Sequence, residues 1–426
     1  MNEFFPYRHG QLHAEATSLL DVAAAVGTPF YLYSAAALTA RYHSFVEAFQ
    51  PIQPMVCYAV KANSNLAVLR LFAGLGAGAD VVSEGELHRA LAAGIPPDRV
   101  IFSGVGKGRA ELMTALEAGI HQINVESVPE LRRLSEIAAA QGAAAKVAIR
   151  VNPDVDALTH AKIATGKKEN KFGIDLDEAL AAYRLADALP GIEPVGVAMH
   201  IGSQAGSLQP FAEAFERLAG FIREVRQAGL KVRRVDLGGG LSIRYRDETP
   251  TDPAEYGALV NRIFGGLDLS MACEPGRVLV GPAGLLVARV EYIKHGASRR
   301  IVIVDAAMND LIRPALYEAW HEIVPVRQPG SDVVVSAADV VGPVCETGDT
   351  FATGRELPPL EEGELVAFGN AGAYGAVMSS TYNTRPLVPE VLVSGDRYAV
   401  IRARPTYAEL LALDTVPEWL PPPRDR

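Results

Sequence analysis

The sequence predicts a (β/α)8 barrel followed by a β domain, and three observations predict it. Between residues 36 and 280, short apolar runs alternate with helical patterns, the rhythm of parallel α/β folds. The apolar runs number eight, the count that closes a barrel. After Gly281 the alternation stops, and strand-like runs follow one another with turns and little helix between them. An open, doubly wound sheet is the rival architecture for the first region.

The barrel strands are read, in order, at Met55–Val60, Ala79–Val82, Arg99–Phe102, Gln122–Val125, Lys146–Val151, Gly196–Met199, Val232–Leu237 and Asp268–Cys273. The first of them, Met55–Val60, is dominated by β-branched and aromatic residues with no polar period, as a buried strand should be. Between them, Leu66–Leu75, Glu84–Ala93, Arg109–Ala118, Val128–Gln141, Leu176–Leu189 and Leu208–Ala228 carry helical spacing. Gly94, Gly119, Gly142 and Gly229 stand where helices end on a left-handed residue. Beyond the barrel, Leu285–Ile293, Arg300–Val304, Asp332–Ala337, Leu365–Ala367 and Tyr398–Arg404 read as strands, and Pro29–Tyr33 is placed to join them. The domains are therefore 36–280, a cofactor-binding barrel, and 1–35 with 281–426, a β-sandwich or β-barrel domain split across both termini.

With 49% hydrophobic and 21% charged residues over 426 positions, the chain has an ordinary globular composition. A net charge of -10 speaks against a nucleic-acid partner. Cys57, Cys273 and Cys345 lie far apart with no CxxC pair, so no disulfide framework or structural zinc is indicated. His321-Glu322 has no second histidine at helical spacing, and no other metal-ligand cluster appears. The N-terminus lacks the pattern of a signal peptide, and no apolar run reaches the ~18 residues of a membrane span. A soluble cytoplasmic protein acting on a small molecule is expected.

Barrel enzymes collect their chemistry at the carboxyl ends of the strands. Strand one ends on Lys61, strand six runs into His200-Ile201-Gly202-Ser203, strand seven into Gly238-Gly239-Gly240, and strand eight into Glu274-Pro275-Gly276-Arg277. Taken singly, these are a snorkelling lysine, a core histidine, a tight turn and an ion pair; converging on one rim, they make a site. A partly desolvated lysine can lose its proton and form a Schiff base with an aldehyde. A glycine loop lets backbone N–H groups close on a phosphate. Glu274 can keep a pyridine nitrogen protonated while His200 stacks on the ring. The set points to pyridoxal 5'-phosphate.

The matching stretches are Tyr58-Ala59-Val60-Lys61-Ala62-Asn63, His200-Ile201-Gly202-Ser203-Gln204, Asp236-Leu237-Gly238-Gly239-Gly240-Leu241, Glu274-Pro275-Gly276-Arg277, Asn309 to Tyr317, Gly342-Pro343-Val344-Cys345-Glu346 and Ala371-Gly372-Ala373-Tyr374-Gly375. In this order the chain resembles the fold type III, alanine racemase-like pyridoxal phosphate enzymes and, within them, the diaminopimelate decarboxylase family. Ala307 departs from the family, where glycine is common. The resemblance implies that Lys61 carries the cofactor and that His200, Ser203, Gly239, Gly240, Glu274, Gly276, Arg277 and Tyr374 bind it. It implies that Cys345 is the proton donor, catalytic beside Lys61 and His200, and that Cys345 and Glu346 enter the site from the second subunit of a homodimer. The tract Ala164 to Gly173, after strand five, also resembles the family, and both an active-site lid and a solvated charged loop stay open for it.

The far end of the substrate is read from its charges. Arg277 and Arg313 offer bidentate donors to a distal carboxylate, with Tyr317 one helical turn beyond Arg313. Tyr374 joins them, and Glu346 takes a distal ammonium. The expected reaction is decarboxylation of meso-2,6-diaminopimelate to L-lysine and CO2, the last step of bacterial lysine biosynthesis. An ornithine- or arginine-type decarboxylase or an amino-acid racemase on the same scaffold stays open, as does a non-catalytic carrier of the cofactor that uses the barrel alone.

Overall fold

The computed structural model describes residues 2–156, 171–296 and 299–421. Eight parallel strands form the first domain: β1 Met55–Ala59, β2 Gly78–Val81, β3 Val100–Phe102, β4 Gln122–Val125, β5 Ala145–Asn152, β6 Ile192–Ala198, β7 Arg234–Asp236 and β8 Ser270–Cys273. Each pairs with the next, β8 pairs with β1 and β4 with β5, so the sheet closes and the open doubly wound alternative is ruled out. A two-residue strand, Ile174–Asp175, adds to β5.

The strand centres lie where the apolar runs place them, while several ends move. β6 starts four residues earlier than its apolar run because Ile192, Glu193 and Pro194 pair with Ala145, Lys146 and Val147. Helices Arg109–Ala118 and Val128–Gln141 have the expected bounds. Gly119 and Gly142 close them in the left-handed region. The helix after β7, which the helical spacing does not delimit, is Pro253–Phe264; Asp252 caps it by accepting the Ala254 N–H at 2.9 Å.

The second domain is built on a nine-stranded sheet. Its main path runs Thr350–Leu357, Ser336–Val341, Arg300–Val304, Gly284–His295, Phe30–Ser34, Glu390–Ser394 and Arg397–Arg402, with Leu365–Phe368 and Ile323–Pro325 branching from Gly284–His295. The N-terminal strand Phe30–Ser34 lies inside this sheet, antiparallel to Gly284–Val287 and parallel to Glu390–Val393.

The strand read at Asp332–Ala337 is displaced in the structure to Ser336–Val341. Val333, Val334 and Val335 have β propensity but no partner strand and stand exposed, whereas Ser336–Val341 is paired on both sides. Thr350–Leu357 escapes the sequence reading because its Gly354-Arg355-Glu356 stretch looks like a loop. No helix among the described residues is long and apolar enough to cross a membrane. The tract read as a lid or a solvated loop lies outside the described residues, apart from Lys171 to Gly173.

Candidate active site

β1 gives way to a tight turn, Val60–Ala62, which presents Lys61 at the barrel rim. Its Nζ lies 2.7 Å from Oδ2 of Asp80, a fully buried residue of β2. Burial, the largest single influence, lowers the lysine pKa, but the Asp80 carboxylate, joined by Glu274 and Tyr374, outweighs it and holds the value above the ordinary range. Desolvation therefore does not strip this amine of its proton, contrary to the reading of Lys61 as a lysine neutralised by its pocket. The ion pair decides its charge.

Beneath the lysine the barrel interior is polar. Asn124 donates to Oδ2 of Asp236 at 2.8 Å and to Oγ of Ser103 at 3.1 Å, and Ser103 donates to Oε1 of Glu274 at 3.3 Å. Asp236 and Glu274 are hydrogen-bonded to each other. Burial raises both carboxyls, and Asp236 and Asp80 push Glu274 far up, so the proton shared by the pair resides on Glu274. Asp236 accepts from Asn124 and from the Gly238 N–H, as the ionised partner should.

The glycine loop after β7 is packed without room for side chains. A Cβ on Gly239 would stand 2.2 Å from the Glu274 carbonyl oxygen, and one on Gly240, at φ +111°, 2.4 Å from that of Gly202. The Gly239 N–H donates to Nδ1 of His200 at 3.1 Å, which makes that nitrogen an acceptor. Burial, then the Arg150 and Lys61 cations, hold His200 well below its usual pKa, so it is neutral. The N–H groups of Gly240, Gly276 and Arg277 donate to no group among the described residues.

A cavity of about 640 Å³ opens on this rim, lined by Lys61, His200, Ser203, Arg277, Arg313, Tyr317 and Tyr374 among others. Arg277 donates to the Tyr245 hydroxyl at 2.8 Å and to Ser203 Oγ at 3.1 Å and stacks over the Tyr374 ring at 4.7 Å, leaving its Nε unpartnered. Tyr374 is held in the left-handed region, φ +56°, with its N–H donated to the Ala62 carbonyl at 2.8 Å beside Lys61. Arg313, on the short helix Arg313–Tyr317, packs over the Tyr245 ring at 4.5 Å and donates to His321 at 2.8 Å. Among the described residues neither arginine pairs with a carboxylate.

The chain does not bring Cys345 and Glu346 to this cavity. Both are exposed, on the turn before Thr350–Leu357. Cys345 Sγ lies 3.6 Å from Asn383 Oδ1, and Glu346 accepts from the Tyr382 hydroxyl. Asp349 braces the turn, accepting the Met308 N–H at 2.6 Å and the Val344 N–H at 2.7 Å.

The residues suit pyridoxal phosphate: an amine at the strand end, a glycine loop that tolerates no side chain, three unengaged backbone donors, and a buried carboxyl that already carries a proton. Sequence reading found the amine and the loop, but it missed Asp80, Asp236, Tyr245 and His321. Asp80, a charge inside the apolar run Ala79-Asp80-Val81-Val82, was the signal available for the first.

The pyridoxal-binding domain of the pyridoxal-dependent decarboxylases matches residues 35–281. A diaminopimelate decarboxylase of Pseudomonas fluorescens is 51% identical over 96% of this chain and 98% of its own length. The crystal structure of diaminopimelate decarboxylase from Helicobacter pylori complexed with L-lysine superposes with a TM-score of 0.89 at 43% identity, covering 92% of this chain and 98% of that one. That from M. jannaschii in co-complex with L-lysine gives 0.92 at 36%, covering 98% of each. Sequence, barrel and rim together show that the chain belongs to the diaminopimelate decarboxylase family of pyridoxal-dependent decarboxylases.

Proposed function

We infer that this protein removes one carboxylate of meso-diaminopimelate, at the D centre, to release CO2 and L-lysine. One observation carries the substrate: two buried guanidiniums, Arg277 and Arg313, face one cavity, and although Glu248 and Glu318 also line it, the arginines' side-chain partners are Tyr245, Ser203 and His321 and neither forms an ion pair among the described residues. Ornithine and arginine end in a cation, which such a wall repels; diaminopimelate ends in an amino acid group that brings a carboxylate to it. The names of the relatives support the same substrate, and the H. pylori and M. jannaschii enzymes hold L-lysine, the expected product.

When bound, pyridoxal phosphate supplies an aldehyde that condenses with amines and a ring that takes up the electron pair left at the α-carbon. Lys61 Nζ is the amine that holds it, positioned by Asp80. Glu274 would face the ring nitrogen with the proton it carries, and Asp236 would keep that proton available inside the barrel. Gly239, Gly240, Gly276 and Ser203 would hold the phosphate, and Tyr374 closes the cavity beside Lys61. Cys345 Sγ–H protonates the α-carbon, since thiols as a class keep their proton at neutral pH.

Cys345 and Glu346 are exposed and lie off their own cavity, which supports a homodimer in which each subunit's turn completes its partner's site. In this reading 36–280 is the cofactor-binding domain, and 1–35 with 281–426 supply the turn and the interface. A free exposed thiol suits the reducing cytoplasm.

The test is CO2 release from meso-diaminopimelate, L-lysine, L-ornithine and L-arginine side by side. Diaminopimelate should be turned over by far the fastest, and faster release from ornithine or arginine overturns the assignment. Arg313→Ala should lower kcat/KM for diaminopimelate by about 10²- to 10³-fold.

A further inference from the structure

Arg313 is a buried cation whose polar side-chain partner is an imidazole rather than a carboxylate. His321, 1% exposed, lies between the helix Arg313–Tyr317 and the strand Ile323–Pro325. Its Nε2 is 2.8 Å from Arg313 Nη1 and its Nδ1 is 2.8 Å from the Gly369 carbonyl oxygen. A guanidinium can only donate, so Nε2 accepts and is unprotonated; a carbonyl can only accept, so the ring proton is on Nδ1. Geometry alone makes His321 neutral and selects its tautomer. Burial and the Arg313 cation hold its pKa down at about 3, in agreement.

The surroundings leave this imidazole little freedom. Its ring meets Tyr245 edge-on, with centroids 5.4 Å apart, and Tyr245 also underlies Arg313. Arg355 donates to the His321 carbonyl at 2.8 Å, and the Gly369 N–H donates to the Glu322 carbonyl at 2.8 Å, so the residue is tied to the sheet on both sides. A carboxylate in this place would orient Arg313 as well, but it would also neutralise it. A neutral acceptor orients the guanidinium and leaves its charge for the cavity.

We propose that His321 is a positioning residue for Arg313, holding the guanidinium through Nη1 while preserving its charge, and so sets the cavity's preference for amino acids with a distal carboxylate. The proposal rests on the reading of Arg313 as the group that receives that carboxylate.

Steady-state kinetics on three variants of the holoenzyme test it. His321→Glu keeps an acceptor but adds a compensating charge, so KM for diaminopimelate should rise about 30-fold or more, with kcat within about threefold. His321→Gln keeps a neutral acceptor and should hold KM within about fivefold. Equal KM values for the two variants overturn the proposal. Arg313→Ala, measured alongside, separates the two readings. If it leaves KM unchanged, Arg313 does not bind the carboxylate; if it raises KM while His321→Glu does not, only the positioning role fails. A measurement on the unmodified protein keeps the proposal testable should the variants misfold: ¹⁵N shifts of the His321 ring at pH 7 should show Nδ1 protonated and Nε2 bare, and a protonated Nε2 overturns it.

Discussion

Lys61 Nζ and Asp80 Oδ2 stand 2.7 Å apart at the barrel rim, so the amine used for covalent chemistry is stored as an ammonium. A raised lysine pKa means that the pair contributes stability in full below ~10.4 and loses it only as pH climbs through the higher folded value. At neutral pH the pair is intact, and capture of an aldehyde must wait for the small fraction of neutral amine. Asp80→Asn should therefore move the pH profile of pyridoxal phosphate capture to lower pH, speeding capture at pH 7 by about tenfold or more, one decade per unit of pKa. Absorbance after mixing apoprotein with cofactor reads this directly. Identical profiles would show that Asp80 does not control the amine. Borohydride should then fix the cofactor on Lys61, and a peptide map placing it on another lysine would refute the assignment.

The exposed position of Cys345 leads to a complementation experiment. Lys61→Ala and Cys345→Ala proteins should each be inactive, and their mixture should recover activity after subunit exchange. Random exchange makes half the dimers mixed, each with one intact site of two, so about a quarter of full activity is expected. No recovery despite proven exchange would rule out a shared site.

Gly239 is pressed against the Glu274 backbone, where a Cβ would come within 2.2 Å of the carbonyl oxygen. Gly239→Ala must displace either the glycine loop or the segment that carries Glu274 and Arg277. A destabilisation of about 1–3 kcal/mol is expected, together with weaker cofactor binding. Thermal unfolding and cofactor titration would check both, and unchanged values would mean that the loop has slack the structure does not show.

Acid should weaken the fold through histidines kept neutral. His321 is held at about 3 and His121 at about 4, each chiefly by burial, then by Arg313 and Arg234 respectively. Unfolded histidine takes up a proton near pH ~6.5, so stability is complete above that value and falls as pH drops toward the folded ones. His321 alone should contribute about 1.4 kcal/mol per pH unit well below 6.5. Unfolding free energies from urea titrations of His321→Gln should decline less steeply with falling pH by that amount. Parallel curves for the variant and the unmodified protein would contradict a neutral His321.

The barrel was legible because strand and helix periods are local: Arg109–Ala118 and Val128–Gln141 can be delimited from apolar spacing and a closing glycine without any knowledge of the fold. The same holds for Lys61, His200, Gly239 and Glu274, whose place at strand ends follows from counting strands. Asp332–Ala337 shows the limit, since whether its valines pair depends on which strands lie alongside.

Side-chain partners are beyond the reach of any local pattern. The sequence by itself determined that a lysine, a glycine loop and a glutamate meet at one rim. Only the tertiary structure decided that Asp80 keeps the lysine charged, that Asp236 leaves the proton on Glu274, and that His321 holds Arg313 without neutralising it. Charge state depends on what lies within a few ångströms in space. Asp80 is 19 residues from Lys61, and Asp236 is 38 from Glu274, the difference of their positions. Closing the barrel places β2 beside β1 and β8 beside β7, and that contact, absent from the linear chain, sets the chemistry of the rim.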